Sequence, residues 1–295
     1  MTSTQSATPR TVLVRPTRSL RHQRADGAAS LSIACDASGA SRLSDLYQRA
    51  PCRVLFPDVE AGEPLQAVLL TTTGGLTGGD RTCVEFKVGA HARATLATQA
   101  AEKLYRALPG TAPVQCSLSL QAGPDSWAEW LAQETIVFNG ARLRRSFRAD
   151  LAAGARMLAV ESLVFGRQAM GEELRLGLLH DSWRIRSAGR LIWADALRLD
   201  GDIAALRRAP FGHGDARACA TLLYAGPDSG ELVDPVRAVL GDAADCGATL
   251  LDGLLIVRLL DSDPPRLRSR VLSIAGLIRH SAAGLSRTLP RVWHC

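Results

Sequence analysis

The fold class is decided by a run in which apolar and polar side chains alternate, Val114–Leu120 (VQCSLSL). Strict alternation recurs in Val84–Val88 (VEFKV), and we assign the same period to Met157–Ser162. A period of two is the signature of a β-strand with one buried face. The sequence therefore predicts strands through this part of the chain.

Turn-forming residues separate these runs about every 10 to 15 residues, a cadence typical of all-β architectures. They are Gly89-Ala90, Leu108-Pro109-Gly110, Ala122–Asp125, Asn139-Gly140 and Ala153-Gly154. We predict a mainly β fold, with a layered or solenoid-like β body and a few α-helices toward the C-terminus. No repeat of constant length is visible, so sandwich and solenoid remain alternatives.

The domain organisation follows from the same pattern. Residues 1–15 are predicted to be a flexible arm, and residues 16–295 a single domain. Its β body runs to about residue 200, and residues 217–295 form a mixed α/β part. Thr98–Ala107 fits either a helix or a pair of strands, and Asp200–Ala216 is predicted to be a loop.

The C-terminal part contains a predicted strand at Ala220–Tyr224 and a helix within Glu231–Ala244. Thr249–Leu260 predicts a hairpin that turns at Asp252-Gly253. Asp263-Pro264-Pro265 predicts a helix start, with aspartate as the cap. The apolar stripe of this helix is better explained as intramolecular core than as a partner groove; it comprises Leu267, Val271, Ile274, Ala275 and Ile278, with Arg266, Arg268, Arg270 and Arg279 mostly off it.

Composition excludes several classes of protein. The chain has 295 residues, of which 46% are hydrophobic and 22% charged, as in globular proteins. Its most apolar stretch, Cys246–Leu260, carries Asp252 and Arg258 and is too short to span a bilayer. The first ten residues lack the apolar run of a signal peptide. We therefore expect a cytoplasmic protein without a membrane partner.

The cysteines and basic residues carry little functional information. The seven cysteines contain no CxxC pair, which argues against a zinc finger and favours a reducing compartment. The net charge is +6, and all but two of the 35 basic residues are arginines, the exceptions being Lys87 and Lys103. Nucleic-acid binding and coding bias both explain this excess. The densest cluster, Arg142–Arg148, is expected to be the solvated face of a strand.

The most unusual local stretch is Thr71–Asp80 (TTTGGLTGGD). It has neither nucleotide-binding spacing nor a following lysine, so we interpret it as a tight double turn that presents Asp80. No GxSxG or HExxH motif indicates a hydrolase. Asp80, Glu134 and Glu172 each adjoin a turn. Such carboxylates usually pair with arginine, but if they were clustered inside a β body they could pass a divalent cation.

At these positions the chain resembles the UreD (UreH) family of urease accessory proteins. Five stretches carry the resemblance in order and cover most of the chain: Gly74–Arg81, Ala97–Arg106, Glu129–Ala141, Phe165–Glu172 and Leu289–Trp293. The family often has prolines at Thr72-Thr73 and commonly one at Ala132, so local loop geometry differs here.

The resemblance implies a protein that is not an enzyme. Such proteins assemble with UreF and the GTPase UreG on the urease apoprotein and help to insert nickel. It also implies a β-rich, solenoid-like body with a few C-terminal helices, and nickel carried through an interior polar passage. No permanent cofactor is expected, only nickel in transit.

Within that implied role, we predict that Asp80, Glu134 and Glu172 face a shared polar interior and contact nickel transiently. The equally weighted alternative is that they pair with Arg81, Arg106 or Arg167 to hold turns. Two other functions remain open: a β-layered metal-dependent hydrolase and a basic nucleic-acid-binding module. The second has few aromatic residues and no repeated pairing of them with arginine to support it.

Overall fold

The computed structural model describes residues 24–243 and 245–294, so the predicted arm at residues 1–15 lies outside them. Its strands are β1 (Asp26–Cys35), β2 (Ser41–Arg49), β3 (Cys52–Leu55), β4 (Leu65–Thr71), β5 (Arg81–Val88), β6 (Arg93–Thr98), β7 (Glu102–Leu104), β8 (Val114–Ala122), β9 (Trp127–Leu131), β10 (Thr135–Val137), β11 (Arg142–Leu151), β12 (Arg156–Phe165), β13 (Leu176–Ser187), β14 (Arg190–Asp202), β15 (Ala218–Ala225), β16 (Cys246–Leu251) and β17 (Leu254–Asp261).

The central strands wind as a parallel solenoid with three faces. Sheet A has the order β14-β13-β11-β8-β5-β1-β2, and sheet B the order β16-β17-β15-β12-β9-β6-β4-β3. A short third face is formed by β7, β10 and the end of β12, paired in parallel. Successive strands β5, β6 and β7 occupy the three faces in turn, and β8, β9 and β10 repeat the circuit. The mainly β prediction is confirmed, and the solenoid is the correct alternative.

The turns of the solenoid differ in length, which hides the repeat in the sequence. Arg81 of β5 lies opposite Gln115 of β8, and Gln115 lies opposite Arg144 of β11, so the second step is shorter than the first. The step from Arg144 to His180 on β13 is longer again. Hydrogen bonding between neighbouring strands requires only that the strands align, so the loops that connect them can differ in length.

Three apolar clusters stabilise the body. The first fills the space between sheets A and B around Phe86, Leu96 and Phe147. The second lies under the third face around Leu104, Val137 and Phe165. The third lies outside sheet B, where helices and the C-terminal tail cover its outer surface. The interior between the first two clusters contains the polar groups described below.

The helices of the described residues are α1 (Ile203–Arg208), α2 (Val233–Leu240) and α3 (Pro264–Ala283), with 3-10 turns at Gln168–Met170 and Arg291–Trp293. None of these helices is long and apolar enough to cross a membrane. The apolar stripe of α3 is fully buried against sheet B, so the prediction of an intramolecular core is confirmed. The hairpin is also as predicted, because β16 and β17 are joined through Asp252 and Gly253, both at positive φ.

The structure corrects some of these predictions and decides between two alternatives. The prediction of a loop throughout Asp200–Ala216 is wrong, because it contains α1, whose N-terminus is capped by the Asp202 carboxylate. Of the two alternatives for Thr98–Ala107, the strands are correct. Asp263 occupies the N-cap position of α3 without a side-chain hydrogen bond. Arg279 is almost completely buried, although the helical pattern placed it off the apolar stripe.

The glycine-rich segment is a compact turn that packs on the next turn of the solenoid. Gly75 has a φ of 140°, and a Cβ there would lie 2.8 Å from the Lys103 carbonyl oxygen. A Cβ on Gly78 would lie 2.4 Å from the Thr111 hydroxyl oxygen. The glycines are therefore needed for close approach between neighbouring turns.

Candidate functional site

A polar layer crosses the interior of the solenoid between the two inner apolar clusters. Cys116 of β8, Arg145 of β11 and Asp181 of β13 lie opposite one another across sheet A. Side chains two residues apart on a strand point to the same side, so these three point into the solenoid, as do the buried Phe147 and Trp183. Sheet B contributes Glu161 of β12, and the third face contributes Thr135 of β10.

Arg145 organises this layer. Its guanidinium donates two hydrogen bonds to the Asp181 carboxylate, at 2.9 and 2.6 Å. A further bond of 3.1 Å goes to the Thr135 hydroxyl, and the Glu161 carboxylate lies 3.2 Å from the Arg145 Nε. The Arg145 side chain is 10% exposed, so the expectation that the Arg142–Arg148 cluster is a solvated face is wrong for this member.

The layer has more negative than positive charge. One guanidinium faces two carboxylates, and among the described residues Glu161 accepts a hydrogen bond of 3.1 Å from Trp130 Nε1 while its Oε2 has no hydrogen-bond partner. Burial raises the pKa of Glu161 to about 7, with Arg145 opposing the shift and Asp181 adding to it. For Arg145 itself, burial acts to lower the pKa, but Asp181 and Glu161 outweigh that effect and raise it. The surplus carboxylate can be neutralised by a proton or by a cation.

A third carboxylate and the thiol of Cys219 lie near the layer. Glu102 of β7 accepts a hydrogen bond of 3.0 Å from Thr71, and burial raises its pKa. Burial also raises the pKa of Cys116 and of Cys219 to about 12, so both are neutral thiols. Within residues 24–243 and 245–294, no three His, Cys, Asp or Glu side chains converge as a metal site would require. The arrangement can attract a cation but lacks a rigid ligand set.

The layer is accessible from a cavity between the two sheets at the C-terminal end of the solenoid. This cavity has a volume of about 480 Å³ and is lined by Arg145, Glu161, Asp181 and Cys219 among others. Its outer part reaches Asp195 of β14 and Arg258 of β17, which form an ion pair of 2.6 Å. Charged groups therefore extend from the buried layer toward the outside.

Each of the three carboxylates predicted from the sequence has partners of its own. Asp80 is 5% exposed and accepts hydrogen bonds from the amides of Ala25 and Thr77, at 2.9 and 2.8 Å. Its side chain ties the glycine-rich turn to the start of β1. The predicted turn is present, but Asp80 is held inside it by backbone amides and is not presented to a partner.

The other two carboxylates are bound by arginine. Glu134 accepts two hydrogen bonds from Arg268 of α3, at 2.9 and 2.7 Å. Glu172 pairs with Arg167 and accepts from the Asn139 amide at 3.0 Å. Of the arginines proposed as alternative partners, Arg167 makes the expected contact. Among the described residues these carboxylates share no partner, and their nickel contact stays a prediction.

A second buried ionic network joins α3 to the body. Arg279 donates to Glu129 of β9 at 2.8 Å, to Glu63, and to the carbonyls of Ser286 and Thr288. Burial acts to lower the pKa of Arg279, but Glu129 and Glu63 outweigh it and raise the pKa. Since every donor nitrogen is occupied, this network is structural.

Sequence reasoning missed Arg145, Glu161 and Asp181 as a group. The parity of the strands contained a signal, because Arg145 falls between the inward positions Leu143 and Phe147, and Glu161 follows Met157 and Ala159. What the sequence did not supply was the register between strands, which brings the three side chains to one level.

The fold and the polar layer define a β-solenoid protein with a charged interior that has no convergent metal-binding triad among its described residues. The sequence model of the family described as UreD urease accessory protein matches residues 25–294. This chain belongs to that family.

Curated relatives agree with this membership over nearly their whole length. A urease accessory protein UreD of Magnetococcus marinus is 40% identical over 290 residues, covering 96% of this chain and 99% of that protein. One from Methylobacterium sp. (strain 4-46) is 41% identical, with coverages of 92% and 96%. One from Xanthobacter autotrophicus is 43% identical, with coverages of 94% and 92%. The resemblance seen in the sequence motifs is thereby confirmed.

Proposed function

We propose that this chain is a non-catalytic metallochaperone and scaffold for nickel insertion into urease. In this proposal it acts in the cytoplasm, in a complex with UreF and the GTPase UreG on the urease apoprotein. Membership of the urease accessory family supports a role in urease maturation. Nickel is the cargo, and no permanently bound cofactor is required.

The observation that carries the proposal is the surplus of carboxylate over guanidinium in the polar layer. Glu161 and Asp181 share the single positive charge of Arg145. A divalent cation entering the layer would relieve this imbalance. Because no convergent triad of ligands is present among the described residues, a bound ion would also be able to leave.

Loss of the chain tests the function directly. In a strain without it, we expect urease protein to remain abundant but to lack nickel, because the chain acts after urease synthesis. Nickel per urease molecule is measured by mass spectrometry of metals on the purified protein. Restoring the gene should restore the nickel, and a normal nickel content in the deletion strain would disprove the proposal.

The route through Asp80, Glu134 and Glu172 remains part of the proposal and has its own test. Alanine at a transit ligand should lower nickel delivery while the melting temperature and copurification of UreF stay normal. Alanine at a purely structural carboxylate should lower delivery only in step with stability. If all three single variants deliver nickel at the wild-type rate, the path lies elsewhere in the molecule.

A further inference from the structure

The outer surface of sheet A differs from that of sheet B. Helices α2 and α3 and the tail cover sheet B, and their contacts form an apolar cluster. On sheet A, most residues of outward parity on β5, β8, β11 and β13 are polar or charged, the apolar exceptions on β13 being Leu176 and Leu178. The charged residues include the exposed arginines Arg81, Arg144, Arg148 and Arg184. We call these four side chains the basic face.

Strand register brings the arginines of the basic face together. Arg148 of β11 lies directly opposite Arg184 of β13. Arg144 of β11 lies opposite Gln115 of β8, and Gln115 lies opposite Arg81 of β5. Arg81 and Arg144 are therefore at the same level, two strands apart. With strands about 4.8 Å apart and about 3.3 Å per residue, the face measures roughly 13 by 14 Å. Four guanidinium groups thus occupy a small, rigid surface.

None of these four arginines is paired within the described residues. The side chains of Arg81, Arg144, Arg148 and Arg184 make no hydrogen bond or ion pair there. Like charges directly opposite on neighbouring strands are unfavourable. Isolated surface charges are common, but a cluster held by register on an uncovered sheet is an electrostatic cost that an acidic partner would remove.

We infer that the basic face docks an acidic surface of the urease apoprotein, an inference that rests on the proposed function for the identity of this partner. Carboxylates suit the planar guanidinium, which can bind them through two parallel hydrogen bonds. A shallow cavity of about 490 Å³, lined by Arg81, Arg144, His180 and neighbouring serines, provides room for carboxylate side chains.

A protein partner explains the face better than nucleic acid does. Glu85 and Asp150 share its outward surface and would repel phosphate groups, whereas a protein can offer charges of both signs. No Phe, Tyr or Trp occupies an outward position on β5, β8, β11 or β13, so bases would have nothing on which to stack.

The size of the face predicts which step of binding it controls. A stable interface buries about 800 Å² on each partner, much more than this face offers. The face is therefore the electrostatic centre of a larger footprint. It should mainly raise the rate of association and make that rate sensitive to salt.

The test compares two double variants of the full chain that change net charge equally. Arg148→Glu with Arg184→Glu reverses the centre of the face. Arg53→Glu with Arg287→Glu is the matched control, because both residues are exposed but lie on β3 and in the C-terminal tail. At low salt we expect the first variant to associate with urease apoprotein at least about tenfold more slowly than wild type, and the control less than about threefold more slowly. The difference should shrink as salt is added.

Several results would overturn the inference. If wild type and the Arg148/Arg184 variant associate with urease apoprotein equally fast, the face is not the docking site, while the proposed function stands. If wild type binds neither urease apoprotein nor UreF, the proposed function fails and the inference with it. If a DNA duplex binds wild type but not the variant, while urease association is unchanged, the face binds nucleic acid. Glutamine at both positions repeats the test should the glutamate variant fail to fold.

Discussion

At the scale of single residues, Arg145 holds the polar layer together, because its one guanidinium faces the buried carboxylates of Glu161 and Asp181. Replacing it with methionine keeps the volume but leaves both carboxylates without their cation. We expect Arg145→Met to lower the free energy of unfolding by about 3 to 5 kcal/mol, measured by urea titration.

The neighbouring residue provides the control for this prediction. Arg144 is on the same strand but is exposed on the opposite face. Arg144→Met should change the free energy of unfolding by less than about 0.5 kcal/mol. If both substitutions lower the free energy of unfolding equally, the effect of Arg145→Met does not come from the loss of the buried ion cluster.

Glu161 predicts a pH dependence of stability. Its pKa is raised from 4.5 to about 7, so at intermediate pH the native state holds a proton that the unfolded state has lost. Raising the pH from about 5 to about 7 should therefore lower the free energy of unfolding by about 2 kcal/mol from this group.

Substitution isolates that contribution. Glu161→Gln removes the titrating group. As the pH rises, the free energy of unfolding of wild type should therefore fall relative to that of the variant. Glu85→Gln, at an exposed position of β5, should show no such trend. A difference between wild type and Glu161→Gln that is flat from about pH 5 to 7 would contradict the raised pKa.

Some of the residue-scale features could be predicted from the sequence, and others could not. Strand parity contained the signal that Arg145 and Glu161 point inward, but Arg145 was predicted to belong to a solvated cluster. The partners of Asp80 and Glu134 could not be foreseen, because Asp80 binds amides of Ala25 and Thr77 and Glu134 binds an arginine 134 positions away in the chain. Contacts over such separations depend on how the solenoid closes.

At the scale of elements, α3 is the main cover of sheet B. Ile274 is fully buried in the apolar cluster between this helix and the sheet. Ile274→Asp should cost several kcal/mol and prevent stable folding, because a carboxylate would enter this cluster without a partner. Circular dichroism melting and yield of soluble protein measure the effect.

A substitution at the adjacent exposed position controls for the effect of aspartate on the helix itself. Ser273 lies on the solvent side of α3 and donates to the Ser269 carbonyl. Ser273→Asp should fold normally. If Ile274→Asp also folds with an unchanged melting temperature, the stripe is not the core that the packing indicates.

Elements with strong local signals could be predicted, and short ones could not. The hairpin at Asp252-Gly253 and the proline start of α3 depend on turn and cap chemistry that acts within a few residues. Helix α1 spans only Ile203–Arg208, too short for an apolar period to appear. It exists because the Asp202 carboxylate caps it and because Ile203 packs under the third face.

At the scale of the whole molecule, the sequence predicted strands but not how they wind. Each turn places its strands on the same three faces, yet the steps from Arg81 to Gln115 and from Gln115 to Arg144 differ in length. A search for a fixed period therefore fails although the pairing is regular. The polar layer is a product of that pairing, since its members come from β8, β10, β11, β12 and β13.

We propose that nickel on its way to urease passes the carboxylate of Glu161, which the polar layer and the family membership support. The most direct measurement is the nickel content of urease purified from strains that carry wild type, Glu161→Gln or Glu85→Gln, beside the melting temperature of each chain and copurification of UreF. Glutamine keeps the acceptor for Trp130 but removes the charge. We predict that Glu161→Gln melts no lower than wild type, retains UreF and delivers less nickel, while Glu85→Gln behaves as wild type. Wild-type nickel content with Glu161→Gln would contradict the claim.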